Sequence, residues 1–269
     1  MIVALTLAGW LDLVATVLVA GAGLFAAFIH RPSPAGHRAA RLACAALGIV
    51  LVLELALTAA RVSTLATAGG WSLVADVLTM HWTLWWIARC LGLAAIASSA
   101  LGAVLPTALL APWLLARCAQ THAGAHGWTA VLVDSVHLLA ACAWLGGLVQ
   151  FSCLSAGDLP AASARFRRVA TASVALLLAA GIYTALLHVQ SVDALIDSPY
   201  GRVLLLKLVV VAVLLSVAAS NRLQHLPEQL MPQRRRPLRA VQVEIAVATL
   251  VLLLSALLGA LPMPHPPPG

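Results

Sequence analysis

The feature that most restricts this chain is a succession of apolar runs, each long enough to cross a lipid bilayer. A helix needs about 20 consecutive apolar residues to span the hydrocarbon core. The first run extends from Ile2 to Ile29, with Asp12 as its only ionisable residue. No basic residue precedes it and it is too long for a signal-peptide core, so it reads as a retained span. The second covers Leu42 to Ala60 and holds Glu54. A polar stretch through Gly69 and Gly70 follows, and Trp71 to Leu78 reads as a short interfacial turn. The run from His81 to Arg117 is too long for one crossing, and divides near residues 98–102 into a third and a fourth helix. Pro106 and Pro112 bend the fourth. The fifth helix runs from Trp128 to about Cys153, the sixth from Val169 to about Val189, the seventh from Val203 to Asn221 and the eighth from Val241 to Leu261. Backbone N–H and C=O groups in lipid must be satisfied within each segment, which leaves helices as the form for such runs. The expected fold is all-α: a polytopic membrane protein built as a bundle of about eight transmembrane helices.

Composition excludes the main alternatives. Charged residues make up 9% of the chain and hydrophobic residues 62%, with a mean hydropathy of +0.99. Soluble domains carry about 25% charged residues. An ordinary globular enzyme, a disordered protein and a nucleic-acid binder are therefore set aside, and no enzymatic activity is expected. The excess of 16 Lys and Arg over 9 Asp and Glu reports orientation instead, because basic residues collect in cytoplasmic loops. Arg31, Arg38 and Arg41 follow the first helix; Arg165, Arg167 and Arg168 follow the fifth; Arg222, Arg234, Arg235, Arg236 and Arg239 follow the seventh. All three groups fall on one face of an eight-helix bundle. That face is expected to be cytoplasmic, with both termini on the opposite side. The five cysteines show no C-x-x-C spacing, which argues against a disulfide framework or a zinc ribbon. Cys90 and Cys142 read as small buried hydrophobes. Residues 1–120 supply the first four helices and 121–269 the last four, within one integral-membrane domain.

Ionisable side chains inside hydrocarbon cost about 2.5–3.5 kcal/mol each on the insertion scale, so each needs a reason. Asp12, Glu54, Arg61, Asp76, His81, Asp134, His137, His188 and Lys207 fall in the half of the bundle opposite the basic loops, or at its edge; Glu244 is the exception. The imbalance points to a polar cavity opening outward. Asp134 and His137 share a face of the fifth helix at i, i+3, continued by Ala141 and Trp144. A carboxylate and an imidazole at that spacing can bind one metal, or the carboxylate can orient the imidazole; a structural Asp–His pair is the competing reading. His188 at the end of the sixth helix and His81 beside Met80 are interfacial histidines able to reach the same cavity. His122 and His126 have i, i+4 spacing, but Gly124 and Gly127 favour a solvated loop there. Met263 and His265 read as a flexible end. Arg89 and Lys207 are read as ion-pair partners for Asp12, Glu54 or Asp76. Gly146, Gly147 and Gly181 permit close helix contact, and Trp10, Trp71, Trp82 and Trp128 suit an interfacial aromatic belt.

Several stretches carry a family resemblance: SVHLLAACAWLGGL at 135–148, ARFRRVATASVALLLAAGIYTALLHV at 164–189, SPYGRVLLLKL at 198–208, SNRL at 220–223, and Glu244 in the last helix. Together they resemble the CopD/PcoD copper resistance family, most clearly from about residue 120 to 261. The resemblance implies a bacterial inner-membrane protein that handles copper, usually proposed to take it up, with a periplasmic copper-binding protein of the CopC type as partner. His137, Trp144, Gly146, Gly147, Tyr200, Gly201, Arg202, Lys207, Asn221, Arg222 and Glu244 occupy recurrent family positions, and His122 resembles a histidine often found before the fifth helix. The chain holds only four Met and no Met-x-x-x-Met track, which shifts the weight to His and carboxylate ligands.

The expected function is copper import or acquisition through an outward His/Asp site. His137 is the central ligand, with Asp134, His81 or His188 beside it and His122 at the mouth. A membrane protein binding haem b is the alternative, which needs two His at similar depth on different helices. A structural membrane subunit without transport activity is the third reading. An ATP-driven pump is set aside because no P-loop and no Asp-Lys-Thr-Gly sequence is present.

Overall fold

The computed structural model describes residues 2–69, 82–100, 107–155, 157–188, 192–228 and 238–261. Among them there is no strand. In chain order the helices are α1 (Ile2–Phe28), α2 (Pro34–Gly69), α3 (Trp82–Ala100), α4 (Thr107–Ala119), the single turn α5 (His122–Ala125), α6 (Trp128–Ser152), α7 (Leu159–His188), the short α8 (Val192–Asp197), α9 (Pro199–Glu228) and α10 (Leu238–Ala260). The protein is thus an all-α polytopic membrane protein. Large apolar side chains such as Leu42 and Leu186, both 72% exposed, stand where a soluble protein would present charge.

Among the described residues, six helices are long and apolar enough to cross a membrane: α1, the Pro34–Ala56 part of α2, α6, Leu159–Leu187 of α7, Pro199–Asn221 of α9 and Ala240–Ala260 of α10. The segments expected as the third and fourth spans form α3 and α4, of 19 and 13 residues. Their apolar parts, Leu84–Ala94 and Leu110–Ala119, are shorter than a full crossing. The break expected near 98–102 begins within α3, which runs to Ala100, and residues 101–106, with Pro106, lie outside the described residues, as does the expected turn at 71–78.

Two helices start earlier than their apolar runs. α2 begins at Pro34, where a missing N–H costs nothing in the first turn, and the Ser33 hydroxyl accepts from Gly36 N at 3.1 Å. Its first turns include Arg38, Ala39, Ala40 and Arg41, strong helix formers that extend the helix beyond the hydrophobic boundary. α7 likewise begins at Leu159 rather than Val169, so Arg165, Arg167 and Arg168 are helical residues, not loop residues. His122 also departs from the loop expectation: Thr121 caps the α5 turn, its hydroxyl accepting from Ala123 N at 3.4 Å.

The chain divides into two compact units, Val14–Ala185 and Met1–Leu13 with Leu186–Gly269. In Val14–Ala185, Phe25, Ile29, Phe151 and Ala162 form a buried cluster joining α1, α6 and α7. Phe151 stacks on Phe166 with ring centroids 4.7 Å apart, and Arg165 Nη1 donates to Ile29 O at 3.4 Å, serving a carbonyl beyond the end of α1. Further along, α1 and α6 cross backbone to backbone. A Cβ on Gly21 would stand 2.5 Å from Gly146 Cα and 2.7 Å from Cys142 O, so only glycine fits. Gln150 is fully buried and its Nε2 donates to Gly36 O at 3.2 Å. The Trp113 indole, 2% exposed, fills the space left by Gly92 between α3 and α4.

In the other unit, α9 packs along α10. Asn221 Nδ2 donates to Glu244 Oε2 at 2.8 Å and to Ala240 O at 3.3 Å. Trp10, expected in an interfacial belt, donates from its indole to Thr249 O at 3.3 Å and so ties α1 to α10. An indole N–H away from water needs such an acceptor. Back in Val14–Ala185, Trp128 is 62% exposed at the start of α6 and meets Trp85 edge to face, with centroids 5.8 Å apart.

Candidate metal site

Two of the expected ligands, Asp134 and His137, lie on α6, and Asp134 meets the turn that precedes this helix. α4 ends at Ala119, and the backbone reverses through Gln120 and Thr121, whose N–H groups bond Arg117 O and Cys118 O at 3.2 and 3.1 Å. Gly127, at φ +87°, makes the left-handed step into α6 that side chains resist. Asp134 is half-buried and faces this turn: Thr121 Oγ1 lies 3.3 Å from Asp134 Oδ2 and donates to Cys118 O at 2.7 Å. The Cys118 thiol is fully buried beside the Asp134 carboxylate and the Ser135 hydroxyl. Ser135 in turn donates to Val131 O at 2.7 Å.

His137 stands one turn further along α6 and is half-buried. Its ring lies against Gly181 of α7; a Cβ there would sit 3.3 Å from His137 Cε1 and 3.7 Å from Nδ1. Gly181 therefore makes room for the imidazole, and Nδ1 is shielded from solvent. Beyond His137 the helix widens into a π turn over Cys142–Gly146, which carries the buried Trp144. Such a turn adds a residue to one helical repeat and recurs at functional sites. Here it coincides with the glycine crossing of α1, so the widened backbone is also the closely packed one.

The side chains of the other expected ligands are outside what is described. His81 lies outside the described residues, as does Asp76. His122 opens α5 in the same unit as His137, and His188 closes α7 in the other unit; the side chains of both lie outside what is described. Among the described residues, no group of three or more His, Cys, Asp or Glu side chains is arranged to hold a metal ion. The neighbourhood of Asp134 includes two residues absent from the sequence reading, Cys118 and Thr121. Both lie within four residues of His122, the one signal that pointed to this turn. The donors present, an imidazole, a carboxylate and a thiol, are ones that copper accepts: imidazole suits both oxidation states and sulfur suits Cu(I).

The remaining ionisable residues have structural surroundings. Arg89 Nη1 lies 3.0 Å from Glu54 Oε2 and also donates to Gln120 Oε1 at 3.0 Å, linking α3 to α2 and to the turn after α4. Asp12 is buried at 3% exposure, Lys207 is half-buried, and Glu244 accepts from Asn221.

Apolar spans with a small set of buried polar groups define the class, a multi-pass helical membrane protein. Within it, residues 160–258, from the start of α7 to the end of α10, match the family model of copper resistance protein D, CopD. The match covers 99 of the 269 residues, and it is this part of the chain that is similar to the CopD copper resistance family. No curated protein and no solved structure matches the chain.

Proposed function

We propose that the chain takes up or acquires copper across the bacterial inner membrane, with copper as cargo and an outward-facing site on α6. The observation that carries this reading is the pairing of His137 and Asp134 at i, i+3 on α6, in a chain whose following helices match CopD. His137 is the central ligand in this proposal. Asp134 binds directly or orients the imidazole, while His122 captures the ion at the mouth and His81 or His188 completes the site. The proposed orientation puts both termini in the periplasm. It is the same whether six or eight helices cross, because α3 and α4 enter as a pair and leave every basic segment on one face. A periplasmic copper-binding protein of the CopC type is the proposed donor.

The test is metal analysis of the purified protein together with its absorption spectrum, and copper accumulation in cells lacking it. Copper bound to the protein and reduced accumulation are the expected results. A haem spectrum with unchanged cellular copper overturns the reading. His137→Ala is expected to abolish copper binding, Asp134→Asn to weaken it, and His265→Ala to leave it near wild type. Unchanged copper stoichiometry in a folded His137→Ala protein removes His137 from the site.

A further inference from the structure

We infer that Thr121 is a positioning residue for Asp134, held in place by Arg89 through Gln120, so that copper affinity depends on two residues, Gln120 and Thr121, that touch no metal. The inference rests on the α6 site proposed above and names what sets its geometry.

Gln120 and Thr121 are adjacent, yet their side chains serve two different networks. Gln120 Oε1 accepts from Arg89 Nη1 at 3.0 Å, and the same nitrogen lies 3.0 Å from Glu54 Oε2. Arg89 is 4% exposed and Glu54 24%, so this end of the chain of contacts is anchored in the helix packing. Thr121 Oγ1 faces the other way, 2.7 Å from Cys118 O and 3.3 Å from Asp134 Oδ2. The hydroxyl carries a single proton. It serves the Cys118 carbonyl or the Asp134 carboxylate, not both at full strength, and the same oxygen accepts from Ala123 N at 3.4 Å. One small group therefore sets the end of α4, caps α5 and touches the carboxylate.

A carboxylate on a surface-facing turn of helix samples several rotamers. A donor fixed on a separate element restricts it, and outer partners of metal ligands act in this way: losing one typically costs 10–100-fold in affinity. The donor is only as well fixed as its backbone. Gln120 ties that backbone to Arg89 one residue away, which makes the Glu54–Arg89 pair the far end of a support ending at Asp134. A purely structural role for Thr121, as the α5 cap alone, predicts a stability change without a change in copper affinity.

The experiment is competition for copper between the purified full-length protein and a chromophoric chelator, with thermal unfolding measured in parallel. Thr121→Val keeps the shape and removes the hydroxyl; it is expected to lower affinity about 10–100-fold. Thr121→Ser restores the hydroxyl and is expected to recover most of the affinity. Gln120→Glu keeps an acceptor for Arg89 and is expected to bind better than Gln120→Leu. Wild-type affinity in Thr121→Val, with Asp134→Asn still weakened, overturns the positioning role and leaves the α6 site standing. Wild-type affinity in both Asp134→Asn and His137→Ala overturns the site itself. If Thr121→Val does not fold, the Gln120 pair carries the test: equal affinity in Gln120→Glu and Gln120→Leu overturns the support from Arg89.

Discussion

Removing the Glu54–Arg89 ion pair one partner at a time, and then both together, is the sharpest test of how these helices are held. The Nη1–Oε2 distance is 3.0 Å, and the two side chains are 4% and 24% exposed. At an effective dielectric of about 20, two unit charges at that separation attract by about 5 kcal/mol. Desolvation of both ions offsets most of this, so the pair adds little beyond what apolar packing would. The penalty appears when one partner is removed. Breaking a buried pair typically costs about 3–5 kcal/mol, because the other charge stays in a low-dielectric setting. Glu54→Leu is expected near the lower end of that range, since Gln120 still accepts from Arg89. Arg89→Leu is expected near the upper end, because it also strips the donor from Gln120. The double Leu variant leaves no uncompensated charge, though Gln120 still loses its donor, and is expected to cost far less than the two single changes together. Unfolding free energy in mixed micelles is the measurement. Trp86, whose indole donates to Leu51 O at 3.3 Å, offers a fluorescence signal across the same α2–α3 contact. If the double variant loses the sum of the two single losses to within about 0.5 kcal/mol, the residues do not interact and the reasoning fails.

Other outcomes follow from the same geometry. Single cysteines introduced at Gln233 and Gly269 are expected to label from opposite sides of the membrane; labelling from one side overturns the proposed orientation. Gly146→Leu forces a side chain into the backbone crossing with Gly21 and is expected to destabilise by at least the roughly 1–3 kcal/mol of ordinary overpacking; wild-type stability would mean the crossing is looser than described. Gly181→Val is expected to push the His137 ring from its place and lower copper affinity, while Gly48→Val, where nothing stands within 4 Å, leaves it near wild type.

The fold was legible because lipid imposes one rule along the whole chain. Apolar length marks each span, and α1, α2, α6, α7, α9 and α10 lie on the runs expected to begin at Ile2, Leu42, Trp128, Val169, Val203 and Val241. The helix ends were not legible to the same degree. Hydropathy reports where the hydrocarbon begins, whereas a helix ends where its capping and propensity end. Arg38 to Arg41 and Arg165 to Arg168 are too polar for the membrane core and well suited to a helix, so α2 and α7 run past the boundary. α3 and α4 adjoin residues outside those described, and their described apolar parts, Leu84–Ala94 and Leu110–Ala119, are shorter than a full crossing.

The site was legible only where its chemistry was costly. Asp134 and His137 stand out because an ionisable residue in an apolar run needs a reason, and their spacing puts them on one face without further information. Partners on other helices were harder to read, because pairing depends on relative depth. Depth follows from residue counting at 1.5 Å per residue only when both ends of a helix sit at the membrane boundary. α2 does not end there, so Glu54 could be marked as needing a cation while Arg89 and Lys207 remained equal candidates. Thr121 and Gln120 gave no such signal. They are ordinary polar residues in a turn, where polarity is expected, and nothing local distinguishes a threonine that caps a helix from one that also holds a carboxylate. Their significance comes from the reversal between α4 and α6, which brings a residue thirteen positions before Asp134 to within 3.3 Å of its carboxylate. On the proposed reading, the polar residues inside the apolar runs mark the candidate ligands, and the unremarkable residues in the turns set how firmly those side chains are held.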